Sequence, residues 1–272
     1  MSTRSPSTLG LGHAAQLEWP HAEHPRTPTF RILKAADLEV KSKVETVFLG
    51  ASNPETGRMI QAIKRVDPSF RVKGFIDNDP AKKGTAFLGH PVLGGFEVLD
   101  DLVARGVGFV NLITGSTQTR YLTSLEMAVR GCIFVNLMHP SVDLTMVDVG
   151  VGNYVQENVV LQAGVRLGNN SSIHIGTLVG HETGIGDSVF IAHGCSISGL
   201  VAIQDGVFMG THATVVPRVK IGRWATIGAG TVVTKDVPDY ATVVGVPGKV
   251  IKVAEALYQD GDIFPSRTES QK

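Results

Sequence analysis

The sequence predicts two structural units in succession, an α/β domain and then an all-β parallel β-helix. Two observations carry this prediction. Aliphatic residues recur at every sixth position from Val149 to Val233 without interruption, and strand and helix patterns alternate over residues 44–138. Short repeats are typical of solenoids, in which each repeat buries its apolar side only against its neighbours. Alternating strands and helices favour a small parallel sheet covered by helices.

The six-residue repeat also restricts the size of a second position. The aliphatic position is occupied in turn by Val149, Val155, Leu161, Leu167, Ile173, Val179, Ile185, Ile191, Ile197, Ile203, Met209, Val215, Ile221, Ile227 and Val233. Four residues after each of them stands a small or β-branched residue, with Asn153 as the exception. Such residues suit the corners of a narrow prism. Glycine directly follows the aliphatic residue at Gly150, Gly168, Gly180, Gly186, Gly210, Gly222 and Gly228, and we expect these glycines to provide unusual backbone angles at the corners.

The preceding region reads as a sheet with helices between its strands. Strands are predicted at 44–49, 72–76, 107–114 and 132–137, and helices at 59–66, 96–104 and 118–130. The loops 50–57, 77–79 and 115–118 then follow strand ends, where parallel sheets bind ligands and helix N-termini offer N–H groups to phosphates. The glycine loop 50–57 lacks the full dinucleotide fingerprint, so a plain strand-to-helix turn stays open for it.

Composition excludes several classes. The chain has 272 residues, with 25 Lys plus Arg against 25 Asp plus Glu, so no charge excess favours nucleic acid or an anionic membrane. No apolar run reaches the length of a membrane span, and residues 1–28 are too polar for a signal peptide. Two cysteines make no disulfide framework, and Cys195 is expected to pack. A cytoplasmic location is the default expectation.

The order of the motifs resembles the sialic acid O-acetyltransferase-like group of hexapeptide-repeat acyltransferases, which includes bacterial N-acetyltransferases of nucleotide-linked amino sugars. The resemblance covers residues 44–252. The motifs that carry it are Gly50-Ala51-Ser52, Asp77-Asn78-Asp79, Pro91-Val92-Leu93-Gly94-Gly95, Gly115-Ser116-Thr117-Gln118-Thr119-Arg120, His139-Pro140-Ser141, Val179-Gly180-His181-Glu182, Ile185-Gly186-Asp187, Ile197-Ser198-Gly199 and Val244-Gly245-Val246-Pro247-Gly248-Lys249.

The resemblance implies a division of the chain. The β-helix is left-handed with three hexads per coil, so residues 149–238 make five coils. Residues 1–40 are expected to be a flexible N-terminal extension, 41–138 a Rossmann-like domain that binds a nucleotide sugar, 139–252 the left-handed β-helix acyltransferase domain, and 253–272 a C-terminal tail.

The resemblance also implies a general base, His181, with Glu182 beside it. An amine that attacks a thioester loses a proton, and a histidine that titrates near neutrality can accept it. A carboxylate on the other ring nitrogen fixes the tautomer and stabilises the imidazolium. Without the motif, His181 would read as an ordinary surface histidine.

Further site residues are implied by the resemblance. The acetyl-CoA co-substrate is expected to contact Phe190, Gly199, Gly210, Thr211, Gly228, Ala229 and Lys249; the sugar nucleotide is expected to contact Gly50, Ala51, Ser52, Asp77, Asn78, Gly115, Ser116 and His174. No metal is expected. The family often has His at position 190 and Asn at position 174, so this chain departs from it there. Each glycine in the cofactor set could instead serve only to make a corner.

Family members are trimers with active sites between neighbouring prisms, so a homotrimer is expected here. His181 and His193 are twelve residues apart, which puts them on different faces of one subunit when a coil has eighteen residues. They can meet only across a subunit interface. His193 therefore reads either as a residue that faces the site of the next subunit or as an ordinary polar exterior residue.

The sequence thus predicts an acetyl-CoA-dependent N-acetyltransferase that modifies the amino group of a nucleotide-linked deoxy sugar in surface glycan synthesis. Neither nucleic acid nor a membrane is an expected partner. O-acetylation of a sugar such as sialic acid is the alternative within the same superfamily. A zinc enzyme of the carbonic anhydrase type is disfavoured because His174, His181, His193 and His212 contain no His-x₄-His pair. A non-catalytic β-helix that binds a partner would require His181 and Glu182 to be incidental.

Overall fold

The structure is a computed structural model that describes residues 44–255. The expected extension 1–40 and residues 256–272 of the expected tail lie outside the described residues.

The first unit is a six-stranded sheet with helices between its strands. Its strands are β1 (Thr46–Leu49), β2 (Val72–Ile76), β3 (Ala86–Phe87), β4 (His90–Gly94), β5 (Gly108–Asn111) and β6 (Ile133–Phe134); its helices are α1 (Glu55–Val66), α2 (Leu99–Ala104) and α3 (Thr117–Val129). The strand order is β3-β4-β2-β1-β5-β6, and all neighbours are parallel except β3 and β4. β1 is buried along its whole length, as expected for a central strand of a parallel sheet.

Element ends differ from the sequence prediction, since α1 begins at Glu55, within the predicted loop 50–57, and β5 ends at Asn111 rather than at 114. Two larger features differ as well. The β3–β4 hairpin was not predicted, because β3 has only two residues at a solvent-facing edge and β4 contains Pro91 and Gly94, which are uncommon in strands. The predicted strand 132–137 is wrong as a single element. It is divided into β6, which pairs with β5, and β7 (Leu137–Met138), which pairs with the β-helix strand that follows. The β-helix ladder therefore begins just before the predicted boundary at residue 139.

The second unit is a three-faced parallel β-helix built from two-residue strands. These are β8 (Asp148–Val149), β9 (Tyr154–Val155), β10 (Val160–Leu161), β11 (Arg166–Leu167), β12 (Ser172–Ile173), β13 (Leu178–Val179), β14 (Gly184–Ile185), β15 (Phe190–Ile191), β16 (Ser196–Ile197), β17 (Ala202–Ile203), β18 (Phe208–Met209), β19 (Thr214–Val215), β20 (Lys220–Ile221), β21 (Thr226–Ile227) and β22 (Val232–Val233). A closing antiparallel hairpin follows, β23 (Ala241–Val244) and β24 (Lys249–Val253). The β-helix is left-handed, as expected.

Pairing occurs between strands one coil apart, and it creates three sheets that we call faces. The first face contains β8, β11, β14, β17 and β20; the second contains β7, β9, β12, β15, β18, β21, β23 and β24; the third contains β10, β13, β16, β19 and β22. We call the corners between the first and second faces the first edge, those between the second and third the second edge, and those between the third and first the third edge.

Each strand of the coils ends on one of the predicted aliphatic residues, and these side chains fill the prism. Fourteen of the fifteen are buried, while Val149, in the first coil, is partly buried and packs on the same cluster. The exception at the small position is also explained. Asn153 is fully buried, where its amide donates to Gly168 O and accepts from Ser171 N. The hexad prediction of the core is therefore confirmed.

The predicted role of the glycines that follow the aliphatic residues is wrong. None of them has a positive φ. They are required because the next coil passes too close for a side chain: a Cβ on Gly180 would lie 2.4 Å from Gly199 N, and one on Gly210 would lie 2.5 Å from Ala229 N. The left-handed backbone occurs two residues later in each hexad, at every sixth residue from Met146 to Gly230.

The α/β unit packs on the second face and on the first coil. Tyr154 and Leu137 belong to the same buried cluster as Phe48 of β1. An ion pair and an aromatic contact lie on the two sides of this face. On the second edge Arg58 Nη2 of α1 lies 2.6 Å from Glu157 Oε1, and on the first edge the rings of Tyr121 and Trp224 are 5.5 Å apart. Because a prism edge is opposite a face, the third edge is the one farthest from the α/β unit.

Candidate functional site

The predicted site residues fall into three groups within one chain. His181, Glu182 and Gly199 lie on the third edge. Gly210, Thr211, Gly228 and Ala229 lie on the second edge together with His174 and His193, and Phe190 and Lys249 are on the adjoining second face. The remaining residues, Gly50, Ala51, Ser52, Asp77, Asn78, Gly115 and Ser116, lie at the carboxyl ends of β1, β2 and β5 or in the loops that follow them.

The His181 imidazole is exposed and has a carboxylate on one nitrogen. Its Nδ1 is 3.2 Å from Glu182 Oε2, and the two side chains are 57% and 59% exposed. Its backbone N–H donates to Gln162 Oε1 of the preceding coil, which holds the corner in register. Among the described residues, Nε2 has no hydrogen-bond partner. The arrangement leaves Nε2 available to accept a proton while Nδ1–H points at Glu182.

Gly199 lies directly against this imidazole. A Cβ on Gly199 would be 2.6 Å from His181 Nε2, so any side chain there would displace the ring or cover its free nitrogen. Gly199 was predicted to contact CoA, but within one chain it lies beside His181 and apart from the predicted CoA residues of the second edge. Gln162 was not predicted, although it precedes Gly180 by one coil of eighteen residues.

The glycines of the second edge have a structural explanation of their own. Gly210 is buried against the Ala229 backbone, and a Cβ on Gly228 would lie 2.8 Å from the Val244 side chain. Thr211 is partly exposed and Ala229 is exposed, so these two present surface that a ligand can reach. Lys249 is exposed at the start of β24, opposite Val244 in the closing hairpin.

His174 and Phe190 lie inside a row of aromatic side chains on the second face. His174 is 4% exposed, and its Nε2 is 2.9 Å from Ser172 Oγ. Its ring lies 4.6 Å from that of Phe190 and 5.1 Å from that of His193. Phe190 is 8% exposed and stacks on Phe208. In a single chain these two predicted contact residues are interior, whereas His193 is exposed beside them.

Because His174 is buried, the stability of the fold should depend on pH in the acid range. Burial, with His193 and Arg120 nearby, lowers the pKa of His174 to about 3 from 6.5. Between about pH 6.5 and 3, His174 is therefore protonated in the unfolded chain but not in the native state. The free energy of unfolding consequently decreases as the pH falls through this range. Each pKa unit is worth about 1.4 kcal/mol.

We expect His174→Gln, which retains a nitrogen near Ser172, to unfold at a lower pH than the wild type. The measurement is the midpoint of acid unfolding followed by circular dichroism. His139→Gln is the control, because His139 lies partly exposed beside Ser141 and has no comparable burial. Equal acid midpoints for the wild type and His174→Gln would contradict the expectation.

The loops of the α/β unit form one group at the carboxyl edge of its sheet. Asp77 connects two of them, since its Oδ2 accepts from Ala51 N at 2.9 Å and from Lys82 Nζ at 2.7 Å. Burial raises the pKa of Asp77, but the bonds from Lys82 and the backbone outweigh it, so the pKa lies below its ordinary value. Asn78 Oδ1 accepts from Phe96 N, and Ser52 is exposed.

The third loop joins this group through the β1–β5 pairing. Ser116 caps α3, with its Oγ accepting from Thr119 N, and Gly115 has open space where a Cβ would be. Asn78 and Ser116 thus stabilise the local backbone, in addition to their predicted contact with substrate. Arg120, which ends the same motif, was given no role by the sequence, although the structure buries it completely at the contact with the β-helix.

Within residues 44–255, no cluster of three or more His, Cys, Asp or Glu side chains is arranged to hold a metal ion. The helices of this part of the chain are all too short or too polar to span a membrane.

No protein-family model matches the chain. Its fold is that of the left-handed β-helix acetyltransferases with an N-terminal α/β region. A histidine-to-asparagine variant of perosamine N-acetyltransferase from Caulobacter crescentus, crystallised with CoA and GDP-perosamine, superposes with a TM-score of 0.69 at 28% identity over 76% of this chain and 96% of that one. The acetyltransferase domain of PglB from Neisseria gonorrhoeae FA1090, in complex with acetyl coenzyme A, has a TM-score of 0.68 at 25% identity over 77% and 100% of the two chains.

Curated relatives match shorter segments. A serine acetyltransferase of Bacillus pumilus is 51% identical over 49 residues, which are 18% of this chain and 23% of the relative. A 2,3,4,5-tetrahydropyridine-2,6-dicarboxylate N-acetyltransferase of Staphylococcus aureus is 44% identical over 57 residues, which are 21% and 24% of the two chains. The chain thus spans about a quarter of the length of these curated relatives.

Together the comparisons confirm the resemblance to hexapeptide-repeat acetyltransferases, and they confirm the fold class. They also agree with the predicted co-substrate, since the solved neighbours contain CoA or acetyl-CoA. Placement in the sialic acid O-acetyltransferase-like group stays a prediction.

Proposed function

We propose that this chain is an acetyl-CoA-dependent N-acetyltransferase that acts on the amino group of a nucleotide-linked amino-deoxy sugar. One observation carries the proposal. The alignment with a structure holding both CoA and GDP-perosamine covers 76% of this chain and 96% of the neighbour, so it includes the α/β unit as well as the β-helix. The shared presence of the α/β unit supports a nucleotide-linked acceptor.

The proposed chemistry uses His181 as the general base. Acetyl-CoA supplies the activated acetyl group as a thioester. His181 Nε2 accepts the proton of the amine as its nitrogen bonds to the acetyl carbon, and it returns that proton to the sulfur when the C–S bond breaks. Glu182, beside Nδ1, stabilises the imidazolium that exists between these two transfers. Gly199 leaves Nε2 uncovered for the acceptor.

The positions of the three groups support a site shared between subunits. His181 is on the third edge, whereas Thr211 and Ala229 are on the second edge, and the third face separates them. The third edge of one prism and the second edge of a neighbour can line one groove when copies are arranged around an axis. We therefore propose a homotrimer, with His193 of one subunit facing His181 of the next.

We further propose that the α/β unit, residues 41–138, binds the nucleotide sugar and that the β-helix, residues 139–252, carries out acetyl transfer. Within one chain the α/β unit that contains the loops at Ala51, Asp77 and Gly115 packs on the second face, opposite the third edge. The nucleotide and the base consequently come from different copies. We place the reaction in surface glycan biosynthesis in the cytoplasm, where nucleotide-activated amino sugars would be the acceptors.

The test is thiol release from acetyl-CoA with a panel of acceptors: UDP-, dTDP- and GDP-linked 3-amino and 4-amino sugars, plus free sialic acid. Turnover with an amino sugar is the expected result. Release with sialic acid alone would replace N-acetylation with O-acetylation of a sugar hydroxyl. Binding of CoA without turnover on any acceptor would favour a non-catalytic β-helix. Mass spectrometry of the product then shows whether the acetyl group is attached to the sugar nitrogen.

A further inference from the structure

Arg120 occupies an unusual position, because its guanidinium is buried between the two units without a carboxylate partner. The residue is on α3 and is 1% exposed. Nε donates to Asn170 O, Nη1 donates to Ile113 O at 3.0 Å, and Nη2 lies 3.5 Å from Ser171 O. Within the described part of the chain, none of the ion pairs involves Arg120.

These three carbonyls belong to two different units. Asn170 and Ser171 form the first edge of the β-helix, and Asn170 has the left-handed backbone of that corner. Ile113 lies just after β5, at the start of the loop that continues into Gly115 and Ser116. Burial lowers the pKa of Arg120 to about 9, which leaves the side chain charged at neutral pH. The planar guanidinium thus joins the loop to the coil in a fixed orientation, as a flexible ammonium cannot.

Asn111 holds the same loop from the other side. It is fully buried at the end of β5, and its Oδ1 accepts from Ile113 N at 2.9 Å. Its Nδ2 donates to Ser124 Oγ and lies within bonding distance of Arg120 O. Ile113 is therefore held at both its N–H and its C=O, and the N-terminus of α3 is held to β5. The loop from 113 to 116 has little freedom to move relative to the β-helix.

We propose that Arg120 is a positioning residue that sets the location of loop 113–116 relative to the β-helix, so that the loop can bind the nucleotide of the sugar substrate. The inference rests on the proposed function, because it assigns this loop to the nucleotide. An apolar residue would suffice to pack α3 against the coil. The three carbonyl contacts instead specify distance and orientation, which are the properties that a loop presenting N–H groups to phosphates requires.

The test compares nucleotide binding with CoA binding in the full-length protein. Calorimetry gives the Kd for UDP, GDP and dTDP and, separately, for CoA, in the wild type, Arg120→Met and Arg120→Lys. Arg58→Met is the matched control, since Arg58 also joins the two units, through Glu157, but its side chain is 68% exposed and lies on α1. Circular dichroism and the oligomeric state are recorded for each variant.

We expect Arg120→Met to raise the Kd of the nucleotide that the wild type binds by about tenfold or more, because misplacement of a binding element by about 1 Å has effects of this size. Arg120→Lys, which can reach one carbonyl at a time, is expected to be intermediate. For CoA, and for Arg58→Met with either ligand, we expect changes within about twofold.

The possible failures are distinguishable. Equal nucleotide binding by the wild type and both Arg120 variants would overturn the positioning role and leave the proposed function intact. Loss of CoA binding or of folding in both Arg120 variants would show that Arg120 acts on the fold as a whole, which also overturns it. A wild type that binds CoA but none of the nucleoside diphosphates or amino-sugar conjugates would overturn the proposed function and this inference with it.

Discussion

Replacing His181 with alanine is expected to lower kcat by about two to four orders of magnitude, the usual contribution of a general base, while CoA binding is retained. The reason is local: Nε2 is the free nitrogen of an exposed imidazole whose Nδ1 already faces Glu182. The measurement is thiol release with the acceptor found in the panel, together with the Kd for CoA. Glu182→Gln keeps the size of the side chain but removes its charge, so its effect should be smaller.

His139→Ala is the control for the loss of a histidine as such, because His139 contacts Ser141 at the beginning of the β-helix. It should turn over like the wild type. If His181→Ala retained wild-type turnover, another group would have to remove the proton, and the assignment of the third edge as the reacting centre would fail. If the variant lost CoA binding as well, the residue would contribute to binding rather than to proton transfer alone.

Replacing Gly222 with alanine is expected to destabilise the β-helix by about 1–3 kcal/mol, as overpacking does in other cores. A Cβ on Gly222 would lie 2.5 Å from Asp239 N and 2.6 Å from Pro238 C, and backbone atoms of a closed coil cannot move aside easily. The measurement is the free energy of unfolding from denaturant titration, or the shift in Tm where unfolding is irreversible.

Gly176→Asn is the control for this experiment. Gly176 has a φ of 71°, but nothing lies within 4 Å of the position of a Cβ. Because asparagine adopts the left-handed region more readily than other residues, its cost should be a fraction of that at Gly222. The opposite ranking, with Gly176→Asn more destabilising than Gly222→Ala, would show that backbone angle rather than close approach decides which glycines the coils need.

The core of the β-helix could be predicted from the sequence, because each hexad is a local pattern whose apolar residue points inward in every coil. The reason why glycine follows the aliphatic residue in many hexads could not be predicted. The backbones of Gly199 and Ala229, in the next coil, leave no room for a side chain at Gly180 and Gly210. These close approaches exist only once the coils are stacked. The division of segment 132–137 into β6 and β7 has the same origin, since pairing partners in two different units decide it.

As in the fold, the local features of the candidate site could be predicted and the contacts between distant residues could not. The pair His181-Glu182 is adjacent in sequence, so its 3.2 Å contact follows from a local motif. The interior position of His174 does not, because its aromatic neighbours Tyr154 and Phe190 come from adjacent coils, and the α/β unit packs on the face they share. Arg120 was missed for a related reason. Its partners are backbone carbonyls, two of them about fifty residues away, and a backbone carbonyl cannot be recognised from residue type.

Glu182 combines its proposed role beside His181 with a strained position in the coil. It occupies the left-handed position of its hexad, with a φ of 55°, where Gly164, Gly176 and Gly194 stand in other corners. A non-glycine residue in this conformation is held at a cost of about 1–2 kcal/mol, and the same cost applies at other corners such as Leu200 and Trp224. At position 182 the proposed role beside His181 would set a gain in activity against that cost. Laboratory selection for thermostability alone should drift towards Gly or Asn at position 182. Only simultaneous selection for turnover should keep the glutamate.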